Sequence, residues 1–281
     1  YWGNQPFVEA PAYIGIAVFF LFVFSIFLYR GKHLVWILSA IFLSLMLSYG
    51  KNLNFVTEFF INNIPFYNKF RAVASIQVIL ELCVPILSIF GLQQLFDSSI
   101  SNKKKFKALT YTFIFFIAIL FALLAMMSSL KFSGLSDQML GQEIISALID
   151  DRKSIYSSQL MRTFLYVVIC SLLLFLFIKN KLSKNSTIIS FAVIILFDLI
   201  SFSRVYINEG NFTDKKYVDS PYKMDVVYNE IKNDQSDFRI LDLTTSSTKP
   251  NYFFNSVLGY HAAKLGRYQE IIDFYLSKNN L

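Results

Sequence analysis

Three groups of residues in this chain combine types that bind or move charge. The first is the stretch Pro65-Phe66-Tyr67-Asn68-Lys69-Phe70-Arg71, which leads into an apolar run beginning near Val73. Arginine grips a phosphate through a forked pair of N–H groups and lysine through a point charge, so Lys69 and Arg71 suit a lipid phosphate. The same two cations also suit ordinary snorkelling to headgroups. The second group lies within apolar runs. Gln77, Glu81, Pro85 and Ser88 follow spacings that place them on one helix face. Pro85 has no N–H for the carbonyl of Glu81, four residues earlier. A charged acid at mid-bilayer costs about 2.5–3.5 kcal/mol on insertion scales, so it turns to protein or water. Asp198 is another acid of this kind. Counting about 1.5 Å of rise per residue, Glu81 lies roughly 12 Å and Asp198 roughly 14 Å below the same surface. Two readings stand: the acids line one cavity with Gln77, or Arg71, Arg162 or Arg204 neutralises each. The third group is the tail from Gly259 to Glu270. His261, Lys264 and Tyr268 share one helical face there, with Arg267 beside them. Such a face holds a sugar or a phosphate, or caps the membrane part as a solvated helix. No residue is singled out as catalytic, and no cofactor is implied.

The elements that must carry these groups follow from composition. Of 281 residues, 55% are hydrophobic and only 16% charged, where a soluble domain carries about a quarter. Such a chain has too much apolar surface for one soluble core, and the bilayer is its natural solvent. Six apolar segments read as helices: 12–29, 34–49, 73–96, 108–130, 162–178 and 187–207. Only a helix satisfies every backbone group within one segment in lipid. The formal charge of +7 gathers in short loops. Arg30 and Lys32, then Lys103, Lys104, Lys105 and Lys107, then Lys179, Lys181 and Lys184 fall on one side of a six-span chain. That side is cytoplasmic by the positive-inside rule, and both ends of the chain then face outward. A nucleic-acid partner has no basic folded face to use. The two cysteines lie in apolar runs, and two histidines without a Cys/His cluster give no zinc site.

The outward loops carry structure of their own. Residues 1–11 read as an aromatic interfacial loop. In 50–72, Phe55, Phe59, Phe60 and Ile64 recur at helical spacing, which predicts a helix lying in the interface and ended by Pro65. Gly141 to Asp151 reads as an amphipathic helix in a solvated cap. Residues 208–281 form the start of a small extracytoplasmic α/β domain, for which a helix is predicted from Pro221 to about Lys232. The stretch DFRILDL at 237–243 predicts a strand, Lys249-Pro250-Asn251 a turn, and 262–276 a further helix.

There is no P-loop, G-x-G-x-x-G, H-E-x-x-H or G-x-S-x-G motif. The stretches YWGNQPF, PAYIG, LSYGKN, IPFYNKFRAVASIQVILEL and NYFFNSVLGYHAAKLGRYQE resemble the YfhO family of bacterial membrane proteins, in its Bacteroidetes-type members. That resemblance implies a type C glycosyltransferase: many transmembrane helices, outer-face loops, and a polyprenyl-phosphate-linked sugar as donor for a cell-envelope acceptor. It further implies a catalytic acid in an outward loop upstream of Tyr1, so that the present chain is an internal piece of a longer protein. Lys69 and Arg71 match its basic positions near the lipid phosphate. His261, Lys264, Arg267 and Tyr268 would contact donor or acceptor from above. The competing expectations are a flippase for a lipid or polymer precursor, with Glu81 and Asp198 as its proton-coupled pair, and a non-catalytic component of an envelope or secretion complex.

Overall fold

The computed structural model describes residues 12–69, 73–134, 137, 140–242, 244, 248–257, 259 and 265–276. The chain divides into two compact units, residues 1–207 and 208–281.

The first unit is helical. It comprises α1 (Ile16–Leu28), α2 (Leu34–Ser48), α3 (Asn54–Asn63), α4 (Gln77–Phe96), α5 (Asn102–Met126), α6 (Gln142–Ile178) and α7 (Lys184–Tyr206). Four of its helices are long and apolar enough to cross a membrane: Val73–Phe96, α5, α6 and α7. A fifth candidate is α2 together with Gly50–Asn63, a pair bent by 110°. The bend falls at Gly50, whose φ is +51°. There Thr57 donates to the Gly50 carbonyl at 2.8 Å, which folds α3 back against the end of α2. Of the helix predicted for 50–72, the helical part is present as α3, with Phe55 and Phe59 exposed and Pro65 just beyond its end.

The first predicted span departs most from expectation. Only 13 of its residues are helical, a length of about 20 Å against a hydrocarbon core of about 30 Å. Residues 12–15 are not helical, and Gly15 turns the chain at φ +95°. Short as it is, α1 is the centre of the unit. It packs on α4, α5, α6 and α7, and Ala17, Phe20 and Phe24 are fully buried. Its contact with α4 is close because small residues line it. Ser88 of α4 has its hydroxyl 2.8 Å from the Val84 carbonyl and 3.0 Å from the Val18 carbonyl across the interface. A Cβ on Gly91 would fall onto the Ser25 hydroxyl and lie 2.9 Å from the Ser25 Cα. Tyr29 stacks on Phe90 with ring centroids 5.2 Å apart.

The predicted cap helix at Gly141–Asp151 and the predicted span 162–178 are one continuous rod. At 37 residues, α6 measures about 55 Å, nearly twice the hydrocarbon thickness. Its first turns are amphipathic and carry the acids, so they need no break before the apolar part begins. The connection from α5 is clamped to this projection. Arg152 of α6 forks onto Asp137 with N–O distances of 2.6 and 2.9 Å, and it also donates to the Phe132 carbonyl at 2.9 Å. Asp137 in turn accepts the Gly134 N–H at 2.6 Å. The Arg152 guanidinium, helped by that N–H, holds the Asp137 carboxyl down at about 2, against 3.8 normally.

The second unit comprises α8 (Lys215–Asp219), α9 (Val226–Ile231), α10 (Thr248–Phe253) and α11 (Gly266–Ile271), which runs on as a π turn over Ile272–Leu276. No strand forms among its described residues. The predicted strand at 237–243 reduces to a single parallel bridge between Ile240 and Ser256. Ile240 donates to the Asn255 carbonyl and accepts from Val257, and the ladder goes no further among the described residues. The predicted turn at 249–251 lies within α10, where Pro250 falls in the first turn and costs no hydrogen bond. The helix predicted from Pro221 starts only at Val226. Asp225 caps it by accepting the Tyr228 N–H at 2.9 Å. Asp225 also pairs with Lys249 at 2.7 Å, and Tyr228 donates to Asp242 at 2.6 Å. Residues 262–264 of the last predicted helix lie outside the described residues.

Two measurements test this packing. Gly91→Ala should destabilise the protein by about 1–3 kcal/mol, the usual cost of overpacking. Ser25→Gly in the same chain should restore part of that loss in detergent unfolding. For Asp137 the folded pKa lies below the unfolded one, so its pairing stabilises fully above about pH 4 and fades as pH falls toward 2. Asp137→Asn should flatten this acid limb in a pH series of unfolding midpoints.

Candidate functional site

Where α1 begins, its first N–H groups point into the bundle rather than at water. The first four N–H groups of any helix lack partners within it, and together they carry roughly half a positive charge. Asp198 of α7 meets them. One carboxylate oxygen accepts the Ile16 N–H at 2.6 Å and lies 3.4 Å from that of Ala17. The other accepts the Tyr13 hydroxyl at 2.7 Å and Arg162 of α6 at 2.8 Å. Asp198 is fully buried. The Arg162 guanidinium also faces the Asp198 carbonyl at 3.0 Å and the Ser201 hydroxyl at 2.8 Å. Tyr13 stacks on Phe202, with ring centroids 3.7 Å apart.

Local sequence explains why these groups meet. Gly15 brings the chain onto α7, where an added Cβ would lie 3.2 Å from the Asp198 carboxylate and 3.3 Å from Leu199. Its positive φ would strain any other residue as well. Asp198 and Ser201 lie one turn apart on α7, so one guanidinium reaches both. With four donors on its two oxygens, Asp198 has little lone-pair capacity left. The arrangement binds an internal helix end and a buried cation.

An almost wholly apolar cleft of about 310 Å³ lies beside this cap, between the start of α1, α5 and α6. Tyr13, Ile16, Phe19, Phe116, Leu120 and Thr163 are among the residues that line it.

The other predicted residues are less gathered. Gln77 is half-buried at the start of α4, while Glu81 is exposed on its outside. No hydrogen bond or ion pair joins Glu81 to another described residue. Asp198 spends its carboxylate on Tyr13, Ile16 and Arg162 and makes no described hydrogen bond to Gln77 or Glu81. The buried face of α4 runs through Val84, Leu87, Ser88 and Gly91, and Glu81 falls off its edge toward the exposed side. Lys69 is exposed in a short turn over Tyr67–Lys69 that follows Phe66, a residue with φ +64°. Arg71, His261 and Lys264 lie outside the described residues. In α11, Arg267 is exposed, whereas the Tyr268 hydroxyl is taken up by the Val257 carbonyl at 2.8 Å. No group of three metal-ligating side chains occurs among the described residues.

Sequence reasoning named Asp198 and gave Arg162 as one of three possible partners. It missed Tyr13, Gly15 and Ser201. A glycine just before an apolar run marks a helix start, and that start needs an acceptor; this signal was present in the chain.

The apolar helices are those of a multi-pass membrane protein. Searches of family models, of curated proteins and of solved structures return no match to this chain.

Removing one partner of a buried ion pair costs about 3–5 kcal/mol, because the other charge is stranded. Asp198→Ala should lose about that much, as read from unfolding in detergent. Pairing it with Arg162→Leu should recover a good part, since no stranded guanidinium remains. Equal stability of Asp198→Ala and the parent would rule out the cap as a structural anchor.

Proposed function

We propose that this chain is a glycosyltransferase-like membrane protein of the YfhO type, which takes a sugar from a polyprenyl-phosphate carrier and transfers it to a cell-envelope acceptor. In this reading the chain crosses the bacterial inner membrane six times. The short α1 completes its crossing with the non-helical residues before it, and the ends of the chain face the periplasm. The observation that carries the reading is the apolar cleft at the start of α1. The helices α1 and α4 run in the same direction, so the start of α1 faces the side of the bundle from which Pro65–Lys69 leads into α4, although Val18 lies beside Ser88, well along α4. A carrier of this kind is a long branched hydrocarbon with a phosphate at its head. The cleft suits the first, and Lys69 with Arg71 suits the second. A flippase driven by Glu81 and Asp198 finds less support, because one acid is exposed and the other is saturated.

In the protein reconstituted with a polyprenyl-phosphate sugar, Arg71→Ala should abolish transfer without loss of expression. Lys69→Ala should weaken it by about 1.5–3 kcal/mol, the worth of one charged hydrogen bond. Normal transfer by Arg71→Ala would refute the proposed role.

A further inference from the structure

A second cavity, of about 550 Å³, opens at the other end of α1. Phe27 and Leu28 from the last turn of α1 and Tyr111 from α5 give it an apolar floor. Arg30, Lys104 and Lys107 stand on its rim, with Gln94 of α4 among the lining residues.

The three cations are short of partners. No ion pair joins any of them to a described acid. Arg30 spends one N–H on the Ile26 carbonyl at 3.2 Å, and Lys107 lies 5.5 Å above the Tyr111 ring. The acid in the adjoining connection is otherwise engaged. The Asp97 carboxylate accepts the Ser99 N–H at 2.8 Å, and its carbonyl accepts the buried Lys105 at 2.8 Å. That second bond closes the α4–α5 turn and takes Lys105 out of the cavity.

The first turn of α5 makes the imbalance worse. It holds Lys103, Lys104 and Lys105 and no acidic residue. Lysines at a helix start face the positive end of the helix dipole, the reverse of the favourable arrangement. An anion at the rim would offset both the unpaired cations and the dipole. The floor limits what that anion can be. A soluble phosphate has no use for Phe27, Leu28 and Tyr111, whereas the glycerol and first acyl carbons of a lipid do.

We infer that this cavity binds the phosphate of an anionic phospholipid, with Arg30, Lys104 and Lys107 around the headgroup and the upper acyl chain against Phe27 and Tyr111. The site does not depend on the glycosyl-transfer reading, whose donor lies at the opposite end of α1. Arginine supplies the forked contact and the lysines supply point charges. Gln94 can donate to a phosphate or glycerol oxygen.

The test uses the full chain, delipidated in a neutral detergent and offered dioleoylphosphatidylglycerol, dioleoylphosphatidylcholine or glycerol 3-phosphate. Lipid retention is read by native mass spectrometry. The parent should retain the phosphatidylglycerol selectively. Arg30→Gln, Lys104→Gln and Lys107→Gln together should weaken retention by roughly 100-fold, about fivefold per charge removed. Lys107→Gln alone should weaken it by about fivefold, which keeps the test valid if the triple variant folds poorly. Lys103→Gln, Lys181→Gln and Lys184→Gln together remove the same charge from the same end, outside the cavity, and should leave retention unchanged. Equal loss in that control would reduce the effect to general surface charge and overturn the site. Equal retention of phosphatidylcholine would overturn it as well. Displacement of the lipid by glycerol 3-phosphate at similar concentration would make the ligand a soluble phosphate and overturn the lipid assignment.

Discussion

A helix that starts inside a bundle must find acceptors for its first N–H groups there, and in this protein Asp198 provides them. The short α1 begins beside α7 rather than at a water-facing end, so solvent is not its cap. A backbone carbonyl would satisfy one N–H and leave the dipole unopposed. A carboxylate takes two N–H groups and opposes the dipole, but it brings a full charge into the interior. Arg162 removes that difficulty and creates another, because its own donors need partners. The Asp198 carbonyl and Ser201 supply them. The knot closes when the Tyr13 hydroxyl takes a remaining lone pair. Remove any member and a buried polar group is stranded, so the set holds together as one unit.

That closure fixes where everything else packs. Three elements converge on the knot: the entry to α1, α6 through Arg162, and α7 through Asp198 and Ser201. Further down α1, the small residues Ser25, Ser88 and Gly91 let α4 approach until side chain meets backbone. Polar anchoring at one end and close steric fit at the other leave α1 little freedom to slide. The projecting start of α6 has its own anchor in the Asp137–Arg152 fork, which lies beyond the apolar part of the rod and so titrates with the surroundings.

The two clefts take their character from opposite ends of this central helix. At its start the charges are paired off against one another, and the adjacent cleft is left apolar. At its end the cations outnumber the acids within reach, and the cavity is rimmed with unmatched charge. Both follow from the same chain. The acid at position 198 is spent on the helix start, and the lysine-rich α4–α5 connection has only Asp97, which is itself engaged locally.

The sequence by itself determined the solvent of the first unit and most of its rods. Runs such as those in α5 and α7 have no other way to satisfy their backbone, and the amphipathic pattern of α3 was plain in Phe55 and Phe59. It also marked Asp198 as an acid that needed a partner. Only the tertiary structure decided which partner, because Arg162 lies 36 residues away and the choice rests on the crossing of α6 and α7. It also decided that Glu81 and Asp198 do not meet. Spacing along α4 fixes a side chain's angle around its own axis but says nothing of where the neighbouring helix ends. The second unit was read least well. A strand needs a partner to exist, and local pattern at 237–243 carries no information about whether one arrives. Periodicity is a property of one element; pairing belongs to two, and only the folded chain brings them together.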